Sequence, residues 1–588
     1  MSEPIRIANC SGFYGDRLAA MREVVTGGPV DVVTGDYLAE LTMLILGRDR
    51  MRDASLGYAK TFVRQLEDCL GEVLERGVKV VANAGGLNPG GLVAALREVA
   101  GGLGLDPAIA HVDGDDLLPR AQELGWDGAL TANAYLGGLG VARALGAGAD
   151  VVVTGRVTDA SLVVGPAAWH HGWGPEALDE LAGAVVAGHV VECGTQATGG
   201  NFSGFLDLPR DARPLGFPLA EVAADGSSVI TKHEGTGGAV TVDTVTAQLM
   251  YEVQSRHYLG PDVTVDLDSV RLAQVGEDRV AVSGVRGLPP PETLKVCVNE
   301  LGGWRSSVEL VLTGLDVEAK ADWVREQLAP RLDAAEVVWS PVRAPAPDAD
   351  TEEGASVLLR CTVKDADQAR VDRAFSSAVV ELALASYPGF TMTAPPGRAT
   401  PYGVYRAAYV DRALVTHTVH LPDGTSEVVP DAAAVSLGLE ARAQGPSHLD
   451  QPEVVEVRGA LAPSLETAAP VVGRPTRRVP LGTFCHARSG DKGGDANVGV
   501  WVGQGDQLDE RTAWLLGFLT PDRVRELLPE AAGLEVEVHP LPHLHGVNVL
   551  LRGLLGDGVA AGTRFDPQAK GLGEWLRSRY VEIPEELL

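Results

Sequence analysis

The sequence predicts an α/β fold in which a mostly parallel sheet flanked by helices is followed by α+β modules. Two patterns lead to this prediction. Short β-rich runs alternate with Ala- and Leu-rich runs from residue 5 to about 205, and beyond that point several strands precede each helix. Alternation is typical of βαβ units and a parallel sheet, whereas successive strands are typical of antiparallel modules.

The N-terminal part, residues 1–209, is predicted to be an α/β domain that forms a crevice. Its candidate strands are "IRIAN" (5–9), "VDVVTG" (30–35), "VKVVANA" (78–84), "AIAHVDG" (108–114), "GALTANA" (128–134) and "DVVVTG" (150–155). Intervening stretches such as "YAKTFVRQLEDCLGEVLERG" (58–77) and "GGLVAALREVA" (90–100) predict helices. Right-handed crossovers would place these helices on both faces of the sheet.

Three further segments complete the predicted organisation. Residues 210–465 form an α+β domain, in which three strands, a helix, two strands and a helix are expected between about 266 and 395. The Pro-containing stretch 466–479 is predicted to be a linker. Residues 480–588 form a C-terminal α+β domain with helices near 508–528 and 568–580 and a strand pair around 534–553.

Composition excludes several classes of protein. The 588 residues include 49 basic and 79 acidic residues, a net charge of −30 that disfavours nucleic acid and anionic membranes as partners. Six scattered cysteines without CxxC spacing favour a reducing cytoplasm. The N-terminus lacks a signal-peptide pattern, and no apolar run approaches the ~18 residues of a transmembrane helix. We therefore expect a cytoplasmic protein.

Five Gly-bearing polar loops follow the predicted parallel strands. They are "NCSGFYGDR" (9–17), "TGDYLAE" (34–40), "NAGGLNPGG" (83–91), "DGDD" (113–116) and "TGRVTDAS" (154–161). Ligands of open parallel sheets bind outside the carboxyl ends of the strands, so these loops predict a functional crevice. Turns and helix caps are the alternative explanation of each single loop, because Gly, Asn and Asp also favour those structures.

These loops supply the candidate catalytic and binding groups. Asp16, Asp36 and Asp159 are the predicted acid–base carboxylates, and Arg156 is the predicted polarising cation unless it pairs with a neighbouring aspartate. The predicted substrate-binding residues of the loops are Asn9, Gly12, Gly15, Asn83, Gly85, Gly86 and Asn88. "GGLGVAR" (137–143) lacks the third glycine of the dinucleotide fingerprint, so no NAD site is predicted.

Two later segments offer further candidates. In "HVVECGTQATGGNFSGF" (189–205), Gln196 is a predicted substrate-binding residue, and Cys193 is either a nucleophile or an inert buried thiol. His189 is read there as part of a strand-like segment. "TKHEGTGG" (231–238) is either an acid–base loop carrying Lys232, His233 and Glu234 or a solvated hairpin. No GxSxG element indicates serine chemistry.

The stretch "CHARSGDKGGDANVGV" (485–500) is dense in chemistry-bearing residues, and three interpretations stay open. Its backbone N–H groups and Lys492 can receive an anion. Cys485, His486, Asp491 and Asp495 can bind a metal, and "HPLPHLHG" (539–546) adds His539, His543 and His545, the last two on one face of a strand. A polar network can instead face the crevice, with His543 or His545 as acid or base. Asp491, Lys492 and Asp495 are predicted substrate-binding residues, and no metal ligand is assigned.

Taken together, "NCSGFYGDR", "TGDYLAELTM", "ANAGGLNP", "VVVTGRVTDASL", "ECGTQATGGNF" and the late "ARSGDKGGDANVGV" resemble the acyclic terpene utilisation family, AtuA. The resemblance runs over nearly the whole chain and implies a ferredoxin-like fold for the C-terminal domain. It also implies a soluble bacterial protein of catabolism, associated with the breakdown of branched or unsaturated acids as CoA thioesters. It assigns no catalytic residues.

The expected function is that of a hydratase or lyase acting on an unsaturated or hydroxylated acyl-CoA or short carboxylic acid. A hydrolase or acyl transferase is the alternative enzyme class, and a non-catalytic acyl-CoA- or metabolite-binding subunit is the alternative outside catalysis. No cofactor is required on this reading, although CoA can be part of the substrate. The expected partners are small-molecule ligands and further copies of the chain in a homo-oligomer.

Overall fold

The computed structural model describes residues 3–210, 213–433 and 475–588. The strands are β1 (Ile5–Asn9), β2 (Val32–Gly35), β3 (Lys79–Ala82), β4 (Ile109–Asp113), β5 (Ala129–Ala134), β6 (Val151–Thr154), β7 (Pro218–Val222), β8 (Ser228–Lys232), β9 (His257–Leu259), β10 (Thr264–Asp266), β11 (Arg271–Gly276), β12 (Arg279–Ser283), β13 (Arg286–Leu288), β14 (Thr293–Thr313), β15 (Glu336–Trp339), β16 (Ser356–Asp365), β17 (Thr391–Met392), β18 (Thr400–Asp411), β19 (Thr418–His420), β20 (Ser426–Val428), β21 (Thr476–Pro480), β22 (Cys485–Lys492), β23 (Asp495–Val502), β24 (Val536–Leu541), β25 (Gly546–Leu551) and β26 (Tyr580–Pro584).

The helices alternate with the strands in the N-terminal part and become sparser afterwards. They are α1 (Ala20–Gly27), α2 (Glu40–Arg52), α3 (Lys60–Arg76), α4 (Pro89–Leu103), α5 (Leu139–Gly146), α6 (Ser161–His171), α7 (Leu178–Val191), α8 (Val242–Leu249), α9 (Val317–Leu328), α10 (Gln368–Val371), α11 (Arg373–Val380), α12 (Leu508–Phe518), α13 (Pro521–Leu527) and α14 (Leu572–Ser578). Of the described helices, none combines the length and the apolarity needed to cross a membrane.

The main sheet has parallel strands at its centre, which confirms the predicted α/β class. Its order is β11-β12-β8-β7-β1-β2-β3-β6-β4-β19-β20, and β1, β2, β3, β6 and β4 run parallel to one another. Every residue of β2 and β6 is buried. Burial on both faces explains why these strands read as continuous apolar runs in the sequence.

Helices cover both faces of this sheet. Along β6, Val152 belongs to an apolar core shared with α5, α6 and α7, whereas Val151 and Val153 belong to a core shared with α1, α3 and α4. Successive residues of a strand point to opposite faces, so one short strand contributes to both cores. The resulting three-layer arrangement fixes the position of the loops that follow β1, β2, β3 and β6.

Two predicted strands differ from their expected places. β5 lies outside the main sheet and pairs with β14, where Tyr135 N donates to Lys295 O at 2.9 Å. The two strands predicted around residues 292–315 are one continuous strand, β14. Gly302 and Gly303 lie between the two predicted strands, and Gly303 at φ +132° lies against Asp365, where a Cβ would approach the carbonyl oxygen to 2.7 Å. A close backbone approach, rather than a chain reversal, requires glycine there.

The chain divides into two compact units. The first comprises the described residues of Met1–Asn299, Tyr405–Val559 and Gln568–Leu588, and the second comprises Glu300–Val404 and Ala560–Pro567. The second unit has its own apolar core between the later part of β14, β16 and the helices α9 and α11. The domain limits expected from the sequence stay predictions, and residues 466–474 of the predicted linker lie outside the described residues.

The C-terminal module, residues 475–588, contains the antiparallel sheet β22-β23-β25-β24 and the strand pair β21-β26. The predicted strand pair around 534–553 is present as β24 and β25. β22 and β23 form a hairpin in which Lys492 pairs with Asp495 across a two-residue turn, Gly493–Gly494. Gly493 has φ +66°, a conformation that glycine adopts without strain.

Candidate active site

A cavity of about 1830 Å³ lies in the first unit, outside the carboxyl ends of β1, β2 and β6. Its wall combines the loops after these strands with the segment 251–261 and the tip of the β22–β23 hairpin. The cavity therefore lies where an open parallel sheet is expected to bind ligands. Its ionisable lining residues include Asp36, Glu40, Arg156, Asp159, Glu192, Glu252, Lys295, Asp491, Lys492 and Lys570.

The loop after β2 places Asp36 deep in the wall. The side-chain Oδ1 accepts hydrogen bonds from Asn83 Nδ2 at 2.6 Å and from Leu38 N at 3.1 Å. Burial, followed by the charge of Asp159, raises the pKa of Asp36 well above its usual range. Burial therefore favours the protonated form of this carboxyl.

Arg156, from the loop after β6, is buried beside the same carboxylates. Its Nη1 donates to Leu38 O at 2.8 Å and to Asp159 Oδ1 at 3.1 Å, and its guanidinium lies 4.4 Å from the ring centre of Tyr135. Its Nε has no acceptor among the described residues. The predicted alternatives thus coexist, because Arg156 pairs with an aspartate and keeps a donor unused at the cavity wall.

Glu192 ends α7 and is almost fully enclosed. Its Oε1 lies 3.1 Å from His189 Nδ1, whereas its Oε2 has no hydrogen-bond partner within the described parts of the chain. Burial and the nearby Asp159 raise the pKa of Glu192 well above its usual range. An unpartnered buried carboxyl oxygen at a cavity wall is an unmet hydrogen bond, which a ligand can satisfy.

Glu252 comes from the turn after α8 and has a strained backbone. Its φ of +59° is unusual for a residue with a side chain, and its N–H donates to Asn497 Oδ1 at 2.8 Å. Asn548 Nδ2 donates to Val253 O at 3.0 Å, so two asparagines of the C-terminal sheet hold this turn. Such strain is typical of functional sites, where the surroundings enforce the geometry.

Two lysines keep Glu252 ionised. Lys492 Nζ lies 3.6 Å from Glu252 Oε2, and Lys570 Nζ lies 3.8 Å from Glu252 Oε1. Burial acts to raise the pKa of Glu252, but the two ammonium groups hold it below its usual range. The same Lys570 Nζ is 3.8 Å from Asp491 Oδ1, and it donates to the hydroxyl of Tyr251.

Asp491 behaves differently from Glu252, although both approach Lys570. Burial, followed by the negative charge of Glu252, raises the pKa of Asp491 to about 7. One cavity wall therefore carries an ionised carboxylate and a carboxyl that titrates near neutrality. Neighbouring groups with separated pKa values are the arrangement that general acid–base catalysis requires.

A second ion pair in the cavity lining joins β14 to α2. Lys295 Nζ lies 3.8 Å from Glu40 Oε1, to which the Tyr135 hydroxyl donates at 3.0 Å. Burial would raise the pKa of Glu40, but Lys295 and Arg156 hold it at about 2. Glu40 is thus a fixed negative charge at neutral pH.

Apolar side chains line another part of the wall. Phe13, Leu41, Ile45 and Leu259 belong to the lining, although between 37% and 58% of each is exposed. The cavity therefore offers a polar region and an apolar region to one ligand. This division suits a molecule with a charged or carbonyl-bearing end and a hydrocarbon chain.

Nine of the sequence-predicted site residues line the cavity: Gly12, Gly15, Asp16, Asp36, Arg156, Asp159, Gln196, Asp491 and Lys492. Asp16 accepts hydrogen bonds from Gly12 N at 2.9 Å and from Arg17 N at 2.7 Å, so it shapes the loop. Gln196 accepts a hydrogen bond from Arg488. The cavity thus joins the N-terminal loops to the β22–β23 hairpin.

The other predicted binding residues lie behind the wall and have local partners. Asn9 Nδ2 donates to Val191 O at 2.8 Å and to Glu192 O at 2.9 Å, and Asn83 orients Asp36. Gly85 lies against Thr154, where a Cβ would meet the carbonyl oxygen at 2.5 Å, and Gly86 has φ +52°. These two glycines serve backbone packing rather than ligand contact.

Two predicted polar residues also have partners elsewhere. Asn88 caps α4, since its Oδ1 accepts from Gly91 N at 3.0 Å. Asp495 Oδ2 pairs with Arg552 Nη1 at 2.8 Å, and its Oδ1 accepts from Gly553 N at 2.8 Å. Neither side chain lines the cavity.

Among the histidines considered as acids, bases or metal ligands, His233, His543 and His545 do not line this cavity, whereas His539 does. His543 and His545 lie on a turn between β24 and β25 rather than along a strand, and His545 Nδ1 is 3.2 Å from Thr512 Oγ1. His189 lies on α7 rather than on a strand. His233 Nε2 instead contacts Val24 O at 2.9 Å. Sequence spacing alone misplaced His543 and His545, because a proline at 542 ends the strand before them.

Burial disfavours the thiolate form of the two candidate cysteines, Cys193 and Cys485. Burial, followed by the carboxylates Glu192 and Glu252, raises the pKa of Cys193 well above its usual range. Cys485 is almost completely buried, and its pKa is also raised by burial. A nucleophilic or metal-binding cysteine needs its thiolate form, so both residues fit the inert interpretation.

The cavity also contains groups that sequence reasoning missed, namely Glu40, Tyr251, Glu252, Lys295 and Lys570. Glu40 lies in "TGDYLAE" (34–40), one of the five polar loops predicted to form the crevice, so the same pattern could have identified it. The other four come from a turn, a strand outside the main sheet and the last segment of the C-terminal module. Only the tertiary fold brings these segments together.

Two family models match the chain. The model described as acyclic terpene utilisation family protein AtuA matches residues 5–421, and the model described as AtuA ferredoxin-like domain matches residues 479–582. Both the resemblance and the ferredoxin-like C-terminal fold expected from the sequence are confirmed by these matches. No curated protein and no solved structure matches the chain.

Proposed function

Since the chain belongs to the acyclic terpene utilisation family AtuA, and its role is therefore catabolic, we propose that the cavity catalyses hydration or dehydration of an acyl-CoA thioester or a short carboxylic acid. The substrate is unsaturated in one direction of the reaction and hydroxylated in the other. The observation that carries this proposal is the pair Glu252 and Asp491. Both carboxyl groups lie within 3.8 Å of Lys570 Nζ, yet their pKa values are moved in opposite directions.

The pair supplies the two proton-transfer groups of the reaction. In hydration, Glu252 takes a proton from water, and the water oxygen bonds to the β-carbon of the double bond. Asp491 then gives its proton to the α-carbon, so the atoms of one water molecule are added. Dehydration runs the same steps in reverse, with the acid and base roles exchanged.

Arg156 supports this chemistry as the group that polarises the carbonyl. Negative charge develops on the carbonyl oxygen when the α-carbon gains or loses its proton, and a fixed donor nearby stabilises that charge. The Nε of Arg156 is a buried donor without an acceptor in the described chain, and its position is set by Leu38 O and Asp159. Little reorganisation is therefore needed when the charge appears.

The size and lining of the cavity fit an acyl thioester. Its volume of about 1830 Å³ exceeds the roughly 300–1,000 Å³ of pockets for drug-sized ligands. Lys492, Lys570 and Arg552 provide cations for carboxylate or phosphate groups, while Phe13, Leu41 and Ile45 provide an apolar surface for a hydrocarbon chain. A thioester with an extended acyl chain would use both regions.

The purified full-length protein is assayed with a panel of enoyl-CoA and 3-hydroxyacyl-CoA thioesters of increasing chain length and branching. Turnover is followed by the absorbance of the conjugated thioester and by product mass. Asp491→Asn should lower kcat by at least ~100-fold, in line with the loss of a general acid or base. Asp522→Asn, a matched change of an exposed carboxylate in the same module, should leave kcat unchanged.

Other outcomes point to the alternative functions. Submicromolar binding of a thioester without turnover would contradict the proposal and favour a binding subunit. Release of free CoA would instead identify a hydrolase or acyl transferase, for which the raised pKa of Cys193 is unfavourable. If Asp491→Asn and Glu252→Gln both retain wild-type turnover, the carboxyl pair does not perform the chemistry.

A further inference from the structure

Three potential metal ligands gather on the main sheet, away from the cavity. His111 on β4 pairs directly with His420 on β19, and Asp113 lies two residues beyond His111 on the same strand. Residues two apart on a strand point to the same face, and directly paired residues of antiparallel strands do so as well. The backbone register alone therefore brings these three side chains to one face. None of them lines the cavity.

The side chains converge at ligand spacing. His420 Nε2 lies 3.0 Å from Asp113 Oδ2, and His111 Nε2 lies 3.9 Å from the same oxygen. The two imidazole rings are stacked, with their centres 4.1 Å apart and their planes inclined by 8°. Ligands about 2.0–2.1 Å from a tetrahedral zinc ion are roughly 3.3 Å apart, so small rotations of these side chains would suffice.

A further contact orients one of the imidazoles. Ser426 Oγ, on β20, lies 2.8 Å from His420 Nδ1, which leaves His420 Nε2 directed at Asp113. Metal-binding histidines usually make such a hydrogen bond through their second nitrogen, because it fixes the ring and the tautomer. The side chains of His111, Asp113 and His420 are 19%, 40% and 32% exposed, so water can complete the coordination.

We propose that His111, Asp113 and His420 bind one divalent transition-metal ion, with zinc the best match to two imidazoles and one carboxylate. The ion would join β19, whose other neighbour is β20, to the edge of the parallel strands at β4. It lies outside the residues assigned to acid–base chemistry. Its role is therefore to fasten the β19–β20 hairpin to the sheet.

The full-length protein is first treated with a chelator to remove bound metal. Zinc chloride is then titrated into it by calorimetry, and its Tm is measured by thermal unfolding at each of several zinc concentrations. We expect one zinc ion per chain and a rise in Tm with zinc concentration, because a ligand that binds only the folded state stabilises it. Cobalt(II) should give the visible absorption of a site with nitrogen and oxygen ligands. His111→Ala and His420→Ala should each weaken zinc binding by more than ~100-fold.

Two further variants keep the outcome decisive even where a histidine substitution lowers stability. Ser426→Ala retains all three ligands and should weaken zinc binding by about 10-fold. His170→Ala removes a histidine that contacts Glu3 O and should bind zinc as the wild type does. Absence of zinc binding by the wild type would overturn the proposal. Zinc binding that is lost in Glu252→Gln but kept in the double variant His111→Ala/His420→Ala would also overturn it, by assigning the metal to the cavity.

Discussion

Burial changes the pKa values of several carboxyl groups in this protein, and Asp115 shows this effect outside the cavity lining. It is 2% exposed and accepts hydrogen bonds from Arg156 N at 2.9 Å and Asn133 Nδ2 at 2.8 Å. These donors oppose burial only in part, and burial raises the pKa of Asp115 to about 7. Asp115 thus supports the Arg156 backbone at a cost in stability that depends on pH.

Asp115→Asn should remove that dependence. The folded pKa of about 7 exceeds the ordinary value of 3.8, so the folded state keeps a proton that the unfolded state has lost. The contribution to stability therefore falls as pH rises from about 4 to 7, and the cost is complete above that range. Between pH 5 and 8, urea unfolding should show the variant gaining about 2–3 kcal/mol relative to the wild type. A constant difference across this range would contradict the assignment.

The backbone of Glu252 leads to a second prediction. Glycine normally destabilises a folded chain relative to alanine, but at φ +59° the order should be reversed. Glu252→Gly should thus be more stable than Glu252→Ala by about 1 kcal/mol, measured by chemical unfolding. Both variants lack the carboxylate and should lose turnover equally. An alanine variant as stable as the glycine variant would show that the turn relaxes without strain.

At the residue scale, the sequence predicts a cavity residue only where the topology of the parallel sheet fixes its position. Asp36, Arg156 and Asp159 were predictable because each directly follows a strand of the parallel sheet. Lys295 and Lys570 were not predictable, since no local pattern connects them to that edge. His543 and His545 show the opposite error, in which a suggestive spacing lies on a turn that the fold uses elsewhere.

Among the elements, α4 depends on the residue that precedes it, Asn88. Asn88 caps this helix through Gly91 N and also donates to Ser55 O at 3.0 Å and Leu56 O at 3.2 Å. Asn88→Ala should therefore lower the free energy of unfolding by about 1–2 kcal/mol, in the upper range for N-cap residues. Asn88→Ser retains an acceptor for the helix and should fall between the alanine variant and the wild type. Equal stability of all three would contradict the capping role.

The strand β23 makes an unusually close contact with the turn after α8. A Cβ at Gly499 would lie 2.5 Å from Met250 Cβ and 2.7 Å from Met250 O, so a side chain there must displace the turn that holds Glu252. Gly499→Ala should lower stability by about 1–3 kcal/mol and reduce kcat as well. Gly533→Ala is the matched control, since no atom lies within 4 Å of its added Cβ. Unchanged kcat in Gly499→Ala would separate the turn from the chemistry.

Elements with clear periodicity were predicted well, whereas those defined by pairing were not. The parallel strands and their helices follow from alternating runs that tertiary structure does not override. β5 has a similar apolar pattern, but its partner is β14, more than 150 residues away in sequence. Pairing with a remote strand leaves no local signal. The continuity of β14 through Gly302 and Gly303 also leaves no local signal, because the neighbouring strand explains why glycine is needed there.

In the molecule as a whole, the C-terminal module has its own apolar core and also contributes side chains to the core of the parallel sheet. Trp501, Leu541 and Leu544 belong to the same apolar cluster as Val152 of β6, and Trp501 Nε1 donates to Asp243 Oδ1 at 3.1 Å. The α+β fold of this module was predictable from the sequence, but the side chains that it contributes to the core of the parallel sheet were not. The predicted homo-oligomer stays a prediction.

Ending the chain after residue 433 should therefore do more than remove Asp491 and Lys492. It uncovers apolar residues that Trp501 and Leu544 bury, and such a surface promotes association. We expect the shortened chain to aggregate, or to lose cooperative unfolding, by light scattering and circular dichroism. A monomeric shortened chain with a sharp unfolding transition would contradict the shared core.

Gly490, Gly499 and Gly546 lie against Tyr251 and Met250, where each added Cβ would come within 3.0 Å of those two residues or of adjacent backbone. These close contacts limit which related chains can be recombined into a folded hybrid. A hybrid that joins the front of one family member to the C-terminal module of another must match these contacts atom for atom. A crossover between α8 and β22 would take Met250 and Tyr251 from one parent and the three glycines from the other. Hybrids that fold should therefore inherit residues 250–253 and the β22–β25 sheet from the same parent.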